Sequence, residues 1–340
     1  MPKNNCLITG GLGFIGSTLA KQLIKFKDIS NCVLVDNFSG YINPLRQTFF
    51  DFRQERFNSF SKIKNNKLII EKCKFERANC ADFKSIYNII EKYKPKYIFH
   101  TAAVPVARVQ NPNISEFREG SIDTTINLLD CIDLLQKKKK LKLERFLYFS
   151  SSMIYGDFKK KKVSEEDETN PKDIYGTLKL AGEIIVKGLS KCNSIPYTII
   201  RPSAVYGPTD MNERVTQYLI MRAIQGEKLV VHGKNEKLDF TFIEDLAAGC
   251  IKAARSPKGK NETFNITFGK ARKILDFAKI ISKNFPKSKL EVVERDKTRP
   301  KRGTLSTTKA RKLLGFKPKI KLEQGTQQYI NFYKNFLKNN

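Results

Sequence analysis

The sequence predicts an α/β protein: a doubly wound, parallel sheet over the first part of its 340 residues, followed by a smaller α/β lobe. Three observations predict it. Short apolar runs alternate with patterns of helical period as far as residue 207, a glycine triplet sits where the first run meets the first helix, and beyond residue 207 the rhythm loosens.

The runs "NCLITGG" (5–11), "NCVLVDN" (31–37), "KLIIEKCKF" (67–75), "YIFHTAA" (97–103), "RFLYFSS" (145–151) and "YTIIRPSAVYG" (197–207) read as strands. Between them, residues 14–26, 83–93 and 115–137 space their apolar side chains three and four apart, as helices do. Strands separated by helices need crossover connections, which make the sheet parallel. Residues 40–66, aromatic and basic, interrupt the alternation and read as an insertion. Past residue 207, "RVTQYLIMRAIQGE" is an amphipathic helix, and "LVVHGKNEKLDFTFIEDLAAGCIKAA" reads as strand, loop and a second strand entering a helix. The end, "TLSTTKARKLLGFKPKIKLEQGTQQYINFYKNFLKN", holds two helices around a Gly-Phe-Lys-Pro turn.

Composition excludes several classes. Apolar residues make up 40% of the chain, and no apolar run approaches the ~20 residues of a membrane helix, so a soluble protein is expected. "MPKNNCLITGG" shows no pattern of a secretory signal, and a cytoplasmic location is expected. The seven cysteines have no CxxC spacing and the histidines number two, so reduced thiols and no metal site are expected. The net charge of +29 is spread along the chain as lysine among Asn and Ile, a compositional bias more than a nucleic-acid patch.

"ITGGLGFIGSTLAKQLI" follows the first strand and opens a helix. Gly10, Gly13 and Gly16 suit a tight turn, close approach of backbone to a pyrophosphate and close helix–strand packing. The helix then offers its free N–H groups to the phosphates. Asp36, twenty residues after Gly16, is placed to accept the adenosine ribose hydroxyls and to repel a 2′-phosphate, which favours NAD over NADP. Asp82 is placed to meet the adenine amino group, and the small residues of "HTAAV" (100–104) let a cofactor lie close. The expected cofactor contacts are Gly10, Gly13, Phe14, Ile15, Gly16, Asp36, Asn37, Asp82, Phe83, Thr101, Ala102, Ala103, Tyr175, Lys179 and Pro202.

Tyr175 and Lys179 in "YGTLK" are four apart and share a helix face. A phenol is a poor base at neutral pH; an adjacent ammonium and a nicotinamide cation would have to supply roughly 4 kcal/mol to make phenolate accessible. Upstream, "YFSSSMIYGD" (148–157) offers three serines to that pair, either as loop filler or as a source of one catalytic hydroxyl.

With these residues in view, the chain resembles the extended short-chain dehydrogenases/reductases, in particular the NAD-dependent nucleotide-sugar epimerase/dehydratase family of UDP-glucose 4-epimerase type. The resemblance rests on "TGGLGFIG", "VDNFSG", "HTAAV", "SSSMIYG", "VSEEDETNPKDIYGTLK", "RPSAVYGP", "DFTFIEDLA" and "KARKLLGFKP", in order along nearly the whole chain. It implies a Rossmann domain that binds NAD, residues 1–206 with a returning segment near 238–268. Residues 207–237 and 269–340 would form the substrate-binding lobe. The family's catalytic Ser or Thr lies five residues before the glycine of its "YG" pair, which selects Ser151. Tyr175 would take the proton of a sugar hydroxyl, and Ser151 would hydrogen-bond the same oxygen. The family's 4,6-dehydratases carry an acidic residue directly after that Ser or Thr. Here Ser152 and Met153 follow, so the resemblance implies epimerisation of a nucleotide sugar. It also implies a homodimer built from the helix around 115–137 and the helix bearing Tyr175.

The chain departs from the family pattern at Ala204, Leu238 and Ser121, where relatives often have Asn, Arg and Asn. Arg214 and Arg299 are candidates for the missing charge, beside Ser151 and Ser152, in binding substrate. Two other readings remain at this stage. A dehydratase, decarboxylase or reductase could use the same Ser-Tyr-Lys set, and a Rossmann protein could have turned its charge to nucleic acid.

Overall fold

The computed structural model describes residues 4–38, 52–64, 67–70, 72–104, 113–211 and 214–339. Its centre is a sheet of seven parallel strands: β1 (Asn4–Thr9), β2 (Ile29–Asp36), β3 (Cys73–Arg77), β4 (Tyr97–His100), β5 (Arg145–Phe149), β6 (Tyr197–Arg201) and β7 (Glu262–Asn265). Their spatial order is β3-β2-β1-β4-β5-β6-β7. The order reverses beside β1, the kind of switch point at which open α/β sheets bind ligands.

Both faces are covered, which is why the strands read as continuous apolar runs. In β1, Cys6 and Ile8 face the core shared with α1 (Phe14–Leu23), while Leu7 faces α2 (Phe83–Tyr93), α3 (Thr124–Lys137) and α4 (Ile174–Asn193). The other long helices are α5 (Val215–Ile224), α6 (Ile243–Arg255), α7 (Ile274–Asn284) and α8 (Leu322–Asn339), with a short helix Thr308–Leu314 before α8. Helix α6 joins α1 on the first face, and α7 packs on α5 and α8 in the second lobe. There, the strands Leu229–His232 and Leu290–Val293 pair in parallel. No described helix is long and apolar enough to cross a membrane, and no group of three or more His, Cys, Asp or Glu among the described residues could hold a metal.

Three predicted elements differ. The expected strand 197–207 ends at Arg201, and Val205–Tyr206 pairs instead with Thr241–Phe242 off the main sheet. The expected strand 67–75 is split: Lys67–Ile70 pairs antiparallel with Ser61–Lys64 off the main sheet, and only Cys73–Arg77 joins β2. Lys72, at φ 52°, takes the left-handed conformation that ends an extended run. The expected helix 115–137 is interrupted by a π turn at Glu119–Asp123, so only Thr124–Lys137 is a regular helix in that stretch after Arg118. Gly120 lies in that turn, where a Cβ would come 2.6 Å from Val104. Residues 39–51, most of the predicted insertion's first half, lie outside the described residues.

Candidate active site

The sheet delivers the site from the carboxyl ends of its strands. After β1 the chain turns at Gly10, φ 63°, and enters α1 with Gly13 as N-cap. No side chain caps that terminus, so its first N–H groups point outward. A Cβ on Gly16 would sit 2.2 Å from the Gly10 carbonyl, and one on Gly10 3.0 Å from the Ala102 nitrogen. This cradle has room for backbone and a phosphate and for little else, which fits a dinucleotide. Gly11, absent from the expected set, is as constrained, with Leu34 Cβ 2.7 Å from its own virtual Cβ.

Asp36 ends β2, accepting hydrogen bonds from the Leu12 N–H and the Phe38 N–H, each at 2.9 Å, and Asn37 beside it is exposed. Phe14 is buried and Ile15 half-buried at the start of α1. At the end of β4, the Thr101 hydroxyl donates to the Thr9 carbonyl at 2.6 Å, locking Thr101–Ala103 against the glycine turn. Beneath it, His100 is pinned between Thr9 Oγ1 (2.8 Å) and Thr125 Oγ1 (3.0 Å); burial pushes its pKa down to about 3, so it stays neutral. Asp82 is the N-cap of α2, accepting from the Lys84 and Ser85 N–H groups and from the Ser85 hydroxyl. Phe83, at the first position of that helix, is partly exposed and stacks on Tyr87.

The three serines separate. Ser150 donates to the buried Glu183 at 2.5 Å, which in turn receives Arg201 through Nε (2.9 Å) and Nη2 (2.7 Å). Arg201 also reaches the Tyr155 hydroxyl at 2.8 Å, and Tyr155 donates to Asn265 at 2.9 Å. This buried network fixes the wall behind the serines. Ser152 Oγ instead receives Arg302 Nη2, and its N–H donates to the Pro202 carbonyl at 2.9 Å. Ser151 caps its own short turn, accepting the Met153 N–H at 3.1 Å, and its hydroxyl lies near enough to Tyr175 to favour the phenolate. Of the three serines, Ser151 is the one beside Tyr175, as the expected Ser-Tyr-Lys set requires.

Helix α4 carries the other two members. Asp173 caps it, accepting the Gly176 N–H at 2.7 Å, so Tyr175 falls in its first turn. Lys179 is buried, donates to the Phe149 carbonyl at 2.8 Å and lies 5.9 Å from the centre of the Tyr175 ring. Burial lowers its pKa to about 8. The expected lowering of the Tyr175 pKa does not come from the chain itself. Burial raises it, against the opposing pull of Arg214, of the Ser151 hydroxyl and of Arg302. Lys179 gives one of its three N–H donors to a backbone carbonyl.

Arg214 is half-buried at the N-cap of α5, and its charge is felt at Tyr175. Arg299 lies apart from the serines on a surface turn, paired with Asp296 at 2.8 Å. Three residues on, Arg302 touches Ser152, Met153 Sδ (2.6 Å) and Ser203 (3.5 Å), and burial lowers its pKa to about 10. Sequence reasoning missed it; Arg302 stands two residues before the short strand Thr304–Leu305, which pairs in parallel with Lys162–Val163 in a two-stranded sheet of its own. Ala204 holds φ 38°, a left-handed angle that an asparagine accepts more readily than an alanine.

Known proteins resemble the chain over nearly its whole length. A UDP-glucose epimerase of Bacillus subtilis, itself uncharacterised, is 28% identical over 96% of this chain and 96% of its own. The dTDP-glucose 4,6-dehydratase of Haemophilus influenzae is 25% identical over 97% of both. The crystal structure of UDP-glucuronic acid 4-epimerase from Bacillus cereus, in complex with UDP-glucuronic acid and NAD, superposes with a TM-score of 0.84 at 25% identity, covering 98% of this chain and 99% of that one. Residues 6–267 match the NAD dependent epimerase/dehydratase family. With its glycine cradle, its Ser-Tyr-Lys trio and that match over most of its length, the chain belongs to the NAD-dependent epimerase/dehydratase family, and its cofactor is NAD.

Proposed function

We propose that the protein epimerises a nucleotide-activated sugar, at C4 as in UDP-glucose 4-epimerases, through a transient keto-sugar. The observation that carries this reading is the fate of the two residues after Ser151. Both the Ser152 hydroxyl and the Met153 thioether lie on the Arg302 guanidinium, and neither side chain is the acid that elimination of water needs. Ser151 holds the oxygen of the reacting hydroxyl, and Tyr175 accepts its proton. Lys179 keeps a positive charge one helical turn away and holds the nicotinamide ribose. Bound NAD supplies a reversible hydride acceptor, so epimerisation leaves no net change in coenzyme. Arg302 and Arg214 offer charge to the substrate's anionic groups, with Arg299 left to the surface turn. Residues 1–206 with the returning segment near 238–268 serve the cofactor, and 207–237 with 269–340 serve the substrate. The protein acts as a cytoplasmic homodimer.

The test is proton NMR of the purified protein with NAD and a panel of nucleotide sugars. A second set of sugar signals without net NADH is the expected result, and Tyr175→Phe should slow it by about 10²–10⁴-fold. A new methyl doublet would mean a 4-keto-6-deoxy product and a dehydratase, as in the Haemophilus relative. Net NADH would mean a dehydrogenase.

A further inference from the structure

Between β2 and β3 the short helix Arg53–Asn58 carries a buried arginine, Arg56. Its Nη1 donates to the Leu12 carbonyl at 3.0 Å and its Nη2 to the Thr209 carbonyl at 2.5 Å. Leu12 stands inside the glycine turn, and its own N–H is already given to Asp36 at 2.9 Å. Leu12 is therefore fixed on both sides, by the carboxylate that ends β2 and by Arg56.

Thr209 belongs to the opposite half of the site. It lies on the stretch that leaves β6 and leads toward Arg214, whose charge reaches Tyr175. Along that stretch the backbone turns left-handed at Ala204 (φ 38°), Gly207 (φ 148°) and Thr209 (φ 69°). For a β-branched residue such a conformation is strained and persists only where the surroundings hold it. Two contacts from the helix and its N-cap hold it here. Arg56 takes the Thr209 carbonyl, and the Phe52 N–H meets Met211 Sδ at 3.2 Å. Phe52 is itself wedged edge-on among Phe332, Tyr333 and Phe336 of α8.

We propose that Arg56 is a positioning residue that couples the dinucleotide turn to the substrate-side loop, so that occupying the first orders the second. On the substrate side the inference rests on the function proposed above. A guanidinium suits the task because its planar fork points N–H groups at two carbonyls at once, where an ammonium is a single compact donor. The 52–60 segment, whose Phe52 and Phe60 belong to the main core, then also braces the glycine turn against the substrate-side loop.

The test uses Arg56→Gln and Arg56→Lys in the full chain, with NAD affinity by calorimetry and hydrogen exchange of residues 10–20 and 204–211 with and without NAD. In the wild type NAD should slow exchange in both stretches. In Arg56→Gln the NAD dissociation constant should rise about tenfold, the loss of one charge-assisted hydrogen bond, and NAD should slow exchange in 10–20 alone. Arg56→Lys, meeting one carbonyl, should recover one effect and not the other; it carries the test if the glutamine variant does not fold. Loop protection by NAD that survives in Arg56→Gln, or that is absent in the wild type, would overturn the coupling. None of these measurements needs a sugar, so inactivity on every nucleotide sugar would refute the proposed function and leave this result standing.

Discussion

Three serines in a row have three different neighbours, and the difference is chemical. Glu183 takes Ser150, Arg302 takes Ser152, and Ser151 alone is left to Tyr175. Lys179 completes the set with a charge that burial makes easy to lose, its pKa lowered to about 8. The sign follows directly: the ammonium is intact below about 8 and neutral above it, so the cation beside Tyr175 fades as pH rises through that value. In carbon-13 NMR of lysine-labelled protein, one Cε signal should titrate with a midpoint near 8 and vanish in Lys179→Met. A Lys179 signal that titrates near the ordinary lysine value would refute this. The glycines, Asp36, Tyr175 and Lys179 were legible because spacing alone sets them on a turn, a strand end and a helix face. Arg302 and Glu183 were not, because their partners are 149 and 150, and 18 and 33, residues away in sequence.

Helix α4 can bring Tyr175 to Ser151 only because glycines let it lie close to β5. A Cβ on Gly182 would fall 2.0 Å from the Tyr148 hydroxyl, and one on Gly176 would be 2.9 Å from the Met153 carbonyl. Gly182→Ala should therefore push the helix outward, costing about 1–3 kcal/mol of stability, and lower turnover with it. Adding Tyr148→Phe, which removes the obstructing oxygen, should recover part of the loss; denaturant melts of the two single variants and the double variant form the cycle that checks it. A Gly182→Ala protein as stable as the wild type would mean the helix has slack. At this scale the repeating order of strand and helix was legible because each strand is short, apolar and followed by a periodic helix. The split at Lys72 and the π turn at Glu119–Asp123 were not, since a single backbone angle or one extra residue in a turn leaves little mark on apolar spacing.

The whole molecule keeps apolar side chains on the face opposite its sheet contacts. Ile184 on α4 is 64% exposed and Leu134 on α3 38% exposed, on the two helices that the proposed homodimer would pair. Sedimentation should find twice the mass of the chain, and Ile184→Glu should return it to a monomer that still binds NAD; a wild-type monomer would refute the dimer. The charge of +29 gives no such address, being shared along the chain. The buried pair of Glu183 and Arg201 bears on how such a protein can change over generations. Losing either partner strands a charge in the interior, at about 3–5 kcal/mol, a large share of what an ordinary fold has to spare. Exchanging both for apolar residues is far milder, but it demands two changes together. A lineage can therefore cross from this wall to another only by a double step. Sites such as Ala204 and Leu238, with no buried charge to strand, are open to single ones, so pockets of new specificity can arise around a catalytic wall that seldom moves.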